Sequence, residues 1–283
     1  MPDRSRSVPA ALVIGLDTPA GAYLARLLQA RGQKVSGMAV AGPSRLAALG
    51  SQDDVTELDA NASDLHAADI LYLVSQPDAA ADALAEQAVA LASATTRLVH
   101  VVDHALLLGH EPARRLAQTL VQLRREAGRF AANAILHAHD SRLGPTDTLP
   151  AMLTLAAHRA AAGHDALPQL DIPDAAPRDW GWTPEYVDAV ARLGSLPMAT
   201  DIEVGSGVAL SARDMGDHAA RWFRLPPERL PLRFVPAAGQ GAAPRAPDIE
   251  RLKALLSWRA TTTGADLMAA LCEAAAMRAG NGP

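Results

Sequence analysis

Acid–base chemistry needs a carboxylate and an imidazole within reach of one point, and one stretch of this chain offers both. Asp103, His104 and His110 follow the apolar run 97–102, just past the end of what reads as a strand. A carboxylate near two imidazoles can move protons close to neutral pH. The competing reading is a solvated strand-to-helix connection, the commoner fate of such residues. A second group, His137, His139 and Asp140, follows the next apolar run. Alternate side chains at a strand end point to opposite faces, which splits these residues and makes them a poor metal-binding set. Histidines of the core or rim are the expectation. Cys272 is the one cysteine, which excludes an internal disulfide or a cysteine metal cluster. Gly205-Ser206-Gly207 has no strand–turn–helix context and reads as a turn, not a nucleophile elbow. Trp180 and Trp182 read as packing residues.

Phosphate binding is the other chemistry the residues suggest. Ala11-Leu12-Val13-Ile14 is a short apolar run that stops at Gly15. Gly21 then opens a helical pattern of Leu24, Leu27 and Leu28, Gly32 ends it, and residues 34–40 read as the next strand. This is a βαβ unit whose helix N-terminus, after Ala20, presents backbone N–H groups to an anion such as a pyrophosphate. Turns of the Gly-x-x-Gly-x-x-Gly spacing hold dinucleotides there; this chain has Gly15, Thr18 and Gly21. A threonine side chain intrudes where backbone must come close to phosphate. Beyond the second strand an acid would bind the ribose of NAD, whereas an arginine accommodates the NADP phosphate. No acid stands there and Arg45 follows, which leans to NADP; a solvated surface arginine is an equal reading. Gly15, Thr18, Ala20, Gly21 and Arg45 are the candidate cofactor residues.

The elements that would position these groups alternate regularly. Residues 54–57, 68–75, 97–103 and 129–136 read as strands, and 77–94 and 112–126 as helices. Alternation of this kind predicts an α/β fold, a Rossmann-type doubly wound parallel sheet. From Gly144 the rhythm changes to proline-rich loops and short helices. The expected division is a nucleotide-binding domain over 1–144 and a small C-terminal substrate lobe over 145–283, which can return one strand to the sheet. Substrates bind at such a position, beyond the C-terminal strand ends. Residues 239–244 read as a mobile loop.

Composition narrows the classes. The chain has 283 residues, 49% of them hydrophobic, enough for a full core. A net charge of −5 with mixed signs leaves no basic footprint for nucleic acid. No apolar run is long enough to span a bilayer, and residues 2–7 lack the apolar core of a signal peptide. The expected location is the cytoplasm, with no membrane partner.

Three stretches carry a resemblance to a known family. Residues 125–141, beginning Arg125-Glu126-Ala127 and ending His139-Asp140-Ser141, are one. Arg178-Asp179-Trp180-Gly181 with Glu185-Tyr186-Val187-Asp188-Ala189 is the second, and Ser257-Trp258-Arg259-Ala260 with Asp266-Leu267-Met268 the third. In this order they resemble GDP-mannose 4,6-dehydratases of the extended short-chain dehydrogenase/reductase (NAD-dependent epimerase/dehydratase) superfamily. The resemblance implies bound NADP, a nucleotide sugar such as GDP-mannose, and internal hydride transfer. It also implies a base in Tyr-x-x-x-Lys and a glutamate for the later proton steps, which is acid–base catalysis with a perturbed phenol. His139, Ser141 and Arg178 fall at substrate-binding positions. A pairing of helices 77–94 and 112–126, through Leu84, Val89, Leu91, Leu116, Leu120 and Leu123, implies a homodimer, or a heteromer with a related enzyme.

The catalytic pattern itself is broken. Counting back from Arg125 puts Gly109 at the tyrosine position and Ala113 at the lysine position. Arg114 is adjacent, but a guanidinium stays protonated and cannot act as a tunable ammonium. The three tyrosines are Tyr23, in the first helix, Tyr72, in the fourth strand, and Tyr186, in the C-terminal lobe. Val235 stands where an arginine would clamp the diphosphate. The expectation is a degenerate protein in which NADP binding is weak or lost. The alternatives are an active dehydratase or epimerase with relocated groups, namely Asp103, His104 and His110, and a non-catalytic partner subunit of such an enzyme.

Overall fold

The apolar runs pair side by side in the computed structural model, which describes residues 10–59, 65, 68–163, 168–236 and 246–280. The loop at 239–244 and the leading residues 2–7 lie outside the described residues. The strands are β1 (Ala10–Ile14), β2 (Lys34–Met38), β3 (Thr56–Glu57), β4 (Ile70–Val74), β5 (Arg97–Asp103), β6 (Ala131–Leu136) and β11 (Ile202–Val204). They form one sheet in the order β11-β6-β5-β4-β1-β2-β3. Every pair is parallel, with Ile14 opposite Met38, Val13 opposite Tyr72 and Val101 opposite Ala134. A parallel sheet is covered on both faces, and every residue of β4 is buried. The order reverses at β1, the switch point of a doubly wound fold.

The helices of this unit are α1 (Pro19–Ala30), α2 (Ala79–Leu91), α3 (His104–Gly109), α4 (Glu111–Ala127), α6 (Thr183–Gly194) and α8 (Ile249–Leu256). Leu84 and Val89 of α2 and Leu116 and Leu120 of α4 are buried in one cluster with Leu12, Leu71 and Leu98 of the sheet. Each such side chain contributes about 1.5–3 kcal/mol when fully buried. Those four leucine and valine positions therefore face the sheet of the same chain, while Leu91 and Leu123 are partly buried against the same cluster.

The chain divides into two compact units. One comprises residues 1–137, 186–204 and 250–258, and the other 138–185, 205–249 and 259–283. Tyr186 belongs to the first unit, because the chain returns to it along α6, and not to the C-terminal lobe where sequence order puts it. Among the described residues the second unit has three two-stranded pairs. These are β7 (His139–Asp140) with β10 (Gly181–Trp182), β9 (Arg178–Asp179) with β12 (Ala209–Leu210), and β8 (Leu170–Asp174) with β13 (Leu232–Pro236). Helices α5 (Leu149–Ala161), α7 (Ala212–Trp222) and α9 (Gly264–Gly280) close over Leu153, Met215, Leu267 and Cys272. Trp180 and Trp182 pack on this cluster. Burial pushes the Cys272 thiol up to about 12, so it behaves as an apolar side chain. Among the described residues no helix is long and apolar enough to cross a membrane.

Candidate functional site

The turn between β1 and α1 is built by its own backbone. Gly15 takes a φ of +111°, open to glycine and strained for other residues. The N–H groups of Gly15 and Leu16 donate to Met38 O at 2.8 and 3.0 Å, and Thr18 N–H donates to Gly15 O at 2.9 Å. Thr18 is the N-cap of α1. Its hydroxyl donates to Gly15 O at 2.7 Å and accepts the Gly21 N–H at 3.0 Å, satisfying one of the orphan donors of a helix start. The hydroxyl is thus folded back into the turn, where the spacing alone suggests intrusion. A Cβ at Gly21 would overlap the Gly15 carbonyl oxygen. Gly21→Ala is therefore expected to destabilise the protein by about 2 kcal/mol or more, the cost of overpacking against backbone, read as a lower urea midpoint.

Asp17 is the hub of this region, and the sequence reading passed over it. Its buried carboxylate accepts Val40 N–H through Oδ1 at 3.1 Å. Oδ2 accepts Ala41 N–H at 3.0 Å and the Gln76 amide at 3.0 Å. The Asp17 carbonyl accepts Arg45 Nε at 2.6 Å, and Arg45 N–H donates to Leu16 O. Arg45 is thus turned onto the first turn. Pro19 has no N–H, and Ala22 N–H donates to Thr18 O. Among the described residues, Ala20 keeps the one first-turn N–H of α1 that pairs with no protein group.

At the β5 edge the candidate acid–base residues separate. Asp103 ends β5 and is exposed. His104 opens α3, a helix where the sequence reads as a connection, and stacks on His137 at 4.9 Å between ring centres. His137 Nε2 lies 3.5 Å from Glu203 Oε2. His110 turns elsewhere, with Nε2 at 2.9 and 3.1 Å from the carboxylate oxygens of Asp82 on α2. No group of three or more metal-ligating side chains forms among the described residues. At the positions matched to the tyrosine and lysine, Gly109 has open space beside it and Ala113 is buried. Tyr23, Tyr72 and Tyr186 are all buried in packing. Burial drives the Tyr72 phenol well above its ordinary range, with the Arg97 and Arg31 charges opposing.

Beneath that edge runs a chain of buried and half-buried polar groups that sequence reasoning missed. Ser75 Oγ lies 2.7 Å from His100 Nε2, and His100 Nδ1 lies 2.9 Å from Asn133 Oδ1. Asn133 Nδ2 donates to Asp201 Oδ1 at 3.1 Å, and Asp201 takes both terminal nitrogens of Arg124. Burial lowers the His100 pKa to about 4, against the opposing Asn133 hydrogen bond and the Asp201 charge. The imidazole is neutral at pH 7, and its basicity is too low for efficient proton abstraction near neutrality.

In the second unit, His139 and Asp140 pair with Gly181 and Trp182. Asp140 is buried; it accepts Ser141 N–H at 2.7 Å and the Thr148 hydroxyl at 2.6 Å. Burial raises its pKa, opposed by those hydrogen bonds. Ser141 is fully buried, and its hydroxyl accepts Leu143 N–H at 3.2 Å. Arg178 is exposed on β9. Asp179 next to it holds the 205–207 turn, accepting the N–H groups of Ser206 and Gly207. Glu185 takes the N–H and hydroxyl of both Thr261 and Thr262. Burial raises the Glu185 pKa, but those four donors outweigh it and the net shift is downward.

No family model matches the chain. Solved structures share its fold at low identity. dTDP-glucose 4,6-dehydratase from Bacillus anthracis in complex with NAD superposes with a TM-score of 0.74 at 12% identity, over 97% of each chain. RMD from Pseudomonas aeruginosa complexed with NADPH gives 0.69 at 15%, over 96% of this chain and 100% of that one. UDP-N-acetylglucosamine 4-epimerase from Methanobrevibacter ruminantium in complex with UDP-N-acetylmuramic acid gives 0.77 at 9%, over 98% and 100%. What this chain has in common with them is the fold; here, among the described residues, it is an α/β architecture around a seven-stranded parallel sheet.

Proposed function

We propose that this chain is a GDP-mannose 4,6-dehydratase-like protein that binds a nucleotide sugar and has lost the hydride chemistry of such enzymes. One observation carries the reading: all three tyrosines are buried, and Gly109 and Ala113 stand where a Tyr-x-x-x-Lys pair would. A phenol base must reach a sugar hydroxyl within hydrogen-bond distance, and a buried tyrosine in the sheet or a helix cannot. The fold shared with nucleotide-sugar epimerases and dehydratases supports the ligand class. GDP-mannose is the sugar nucleotide to test first, with Arg178 offered to its diphosphate and His139 to its sugar. NADP(H) is held weakly or not at all.

Titration calorimetry with GDP-mannose tests this. Binding is expected, with no conversion of the sugar in the presence of NADP. Arg178→Ala is expected to weaken that binding about tenfold, the loss of one charge-assisted contact. Dehydratase turnover by the purified protein overturns the loss of chemistry, and absence of binding overturns the ligand.

A further inference from the structure

We infer that Asp17 fills the dinucleotide cradle from within, its carboxylate taking the donors at the ends of β2 and β4 and putting a fixed negative charge at the switch point where a dinucleotide would lie. In open α/β sheets the ligand lies beyond the C-terminal strand ends at the switch point. Here that point is β1, with β4 on one side and β2 on the other. Asp17 leaves the end of β1, and its carboxylate reaches past both neighbours. It takes Val40 and Ala41 after β2, and Gln76 after β4.

The hydrogen-bond accounting around it is nearly closed. Every backbone N–H is an obligatory donor, so each one committed to the chain is one withdrawn from a ligand. Gly15 and Leu16 donate to Met38, Thr18 to Gly15, Gly21 to the Thr18 hydroxyl and Ala22 to the Thr18 carbonyl. Arg45, the candidate cofactor cation beyond β2, gives its Nε to the Asp17 carbonyl. A carboxylate buried with three donors is a matched set, since burying it without them would be strongly unfavourable. An anionic ligand at this switch point meets both a negative charge and a shortage of donors. The turn that a dinucleotide would order is ordered by the chain itself.

This deepens the reading above for the cofactor half of the site and rests on it only for the identity of the fold's usual ligand. The test is an NADPH titration followed by fluorescence and by thermal melting, on wild type and three variants. Asp17→Ala removes both charge and acceptor and is expected to lower the NADPH Kd at least about tenfold. Asp17→Asn keeps the side chain's shape should the alanine variant fail to fold, and is expected to gain in the same direction. Gln76→Ala leaves the charge in place and should gain nothing. Wild-type binding as tight as that of the Asp17 variants overturns the inference. So does the absence of any gain in a folded Asp17 variant, or an equal gain in Gln76→Ala. The GDP-mannose titration is read separately: its failure removes the nucleotide-sugar reading and leaves this comparison standing.

Discussion

Between pH 6.5 and pH 4 the protein is expected to lose about 3 kcal/mol of stability through His100 alone. The cause is the burial of an imidazole with both nitrogens engaged. Asn133 Nδ2 donates to Asp201 and to Ala117 O, so its Oδ1 is the acceptor facing His100. His100 therefore carries its proton on Nδ1, and Nε2 accepts the Ser75 hydroxyl. Protonating Nε2 would put a charge in a dry interior and force that hydroxyl to turn away. The folded pKa of about 4 lies below the ordinary 6.5. The unfolded chain thus binds the extra proton first, and stability rises with pH across the window. The penalty is absent above the unfolded value, grows as pH falls, and is complete below the folded one. At about 1.4 kcal/mol per pKa unit, the shift amounts to about 3 kcal/mol. Urea unfolding from pH 4 to 8 measures it, with His100→Gln as reference. That variant keeps a donor and an acceptor but cannot titrate. Carboxylates common to both proteins cancel in the difference. Parallel stability profiles would show that His100 does not titrate with folding.

How far the molecule is legible from its residues depends on how local each cause is. Strands β1, β4, β5 and β6 read directly, because a parallel sheet buried on both faces demands unbroken apolar runs. The start of α4 near Pro112 reads for an equally local reason, the fit of proline to the first helical turn. Helix α3 did not, since Ala105-Leu106-Leu107-Leu108 is too short to show a helical period and continues an apolar strand. Strand β11 has three residues and no pattern of its own; its place beside β6 comes from the return of the chain along α6. The same return carries Tyr186 into the first unit, where its ring meets Trp258 edge-on. Sequence order cannot reveal a return of that kind. The polar hubs were the least legible. An acid in a glycine turn means little until Val40, Ala41 and Gln76 come to it, and they stand 23, 24 and 59 residues away. His100 looks like an interruption in a strand until Ser75 and Asn133 flank it. By contrast, Gly109 and Ala113 at the positions matched to the tyrosine and lysine read directly, because residue identity needs no geometry.

Asp201→Ala is expected to destabilise the protein by about 3 kcal/mol at pH 7. Asp201 stands just before β11, and its carboxylate joins three elements. Oδ1 accepts Arg124 Nη1 of α4 at 2.8 Å and Asn133 N–H of β6 at 2.8 Å. Oδ2 accepts Arg124 Nη2 at 2.9 Å, which makes the pair bidentate. Arg124 also donates to Ala131 O at 2.7 Å, so the guanidinium is fixed before the acid arrives. Burial pushes the Asp201 pKa up, but the Arg124 and Asn133 hydrogen bonds outweigh it and hold the carboxyl below its ordinary range. Alanine would leave the Arg124 charge, 23% exposed, without its partner and two donors of Asn133 unpaired. Removing one member of such a pair costs about 3–5 kcal/mol when fully buried, and the partial exposure here places the effect at the lower end. The sign with pH follows from the depressed folded pKa. The contribution is present above the unfolded carboxylate range and is lost as pH falls through the folded value, so the gap between wild type and variant narrows in acid. A double-mutant cycle with Arg124→Ala separates the pair from its surroundings. Strict additivity of the two substitutions, or a loss below about 1 kcal/mol for Asp201→Ala, the level of an exposed ion pair, would mean that this carboxylate does not hold α4, β6 and β11 together.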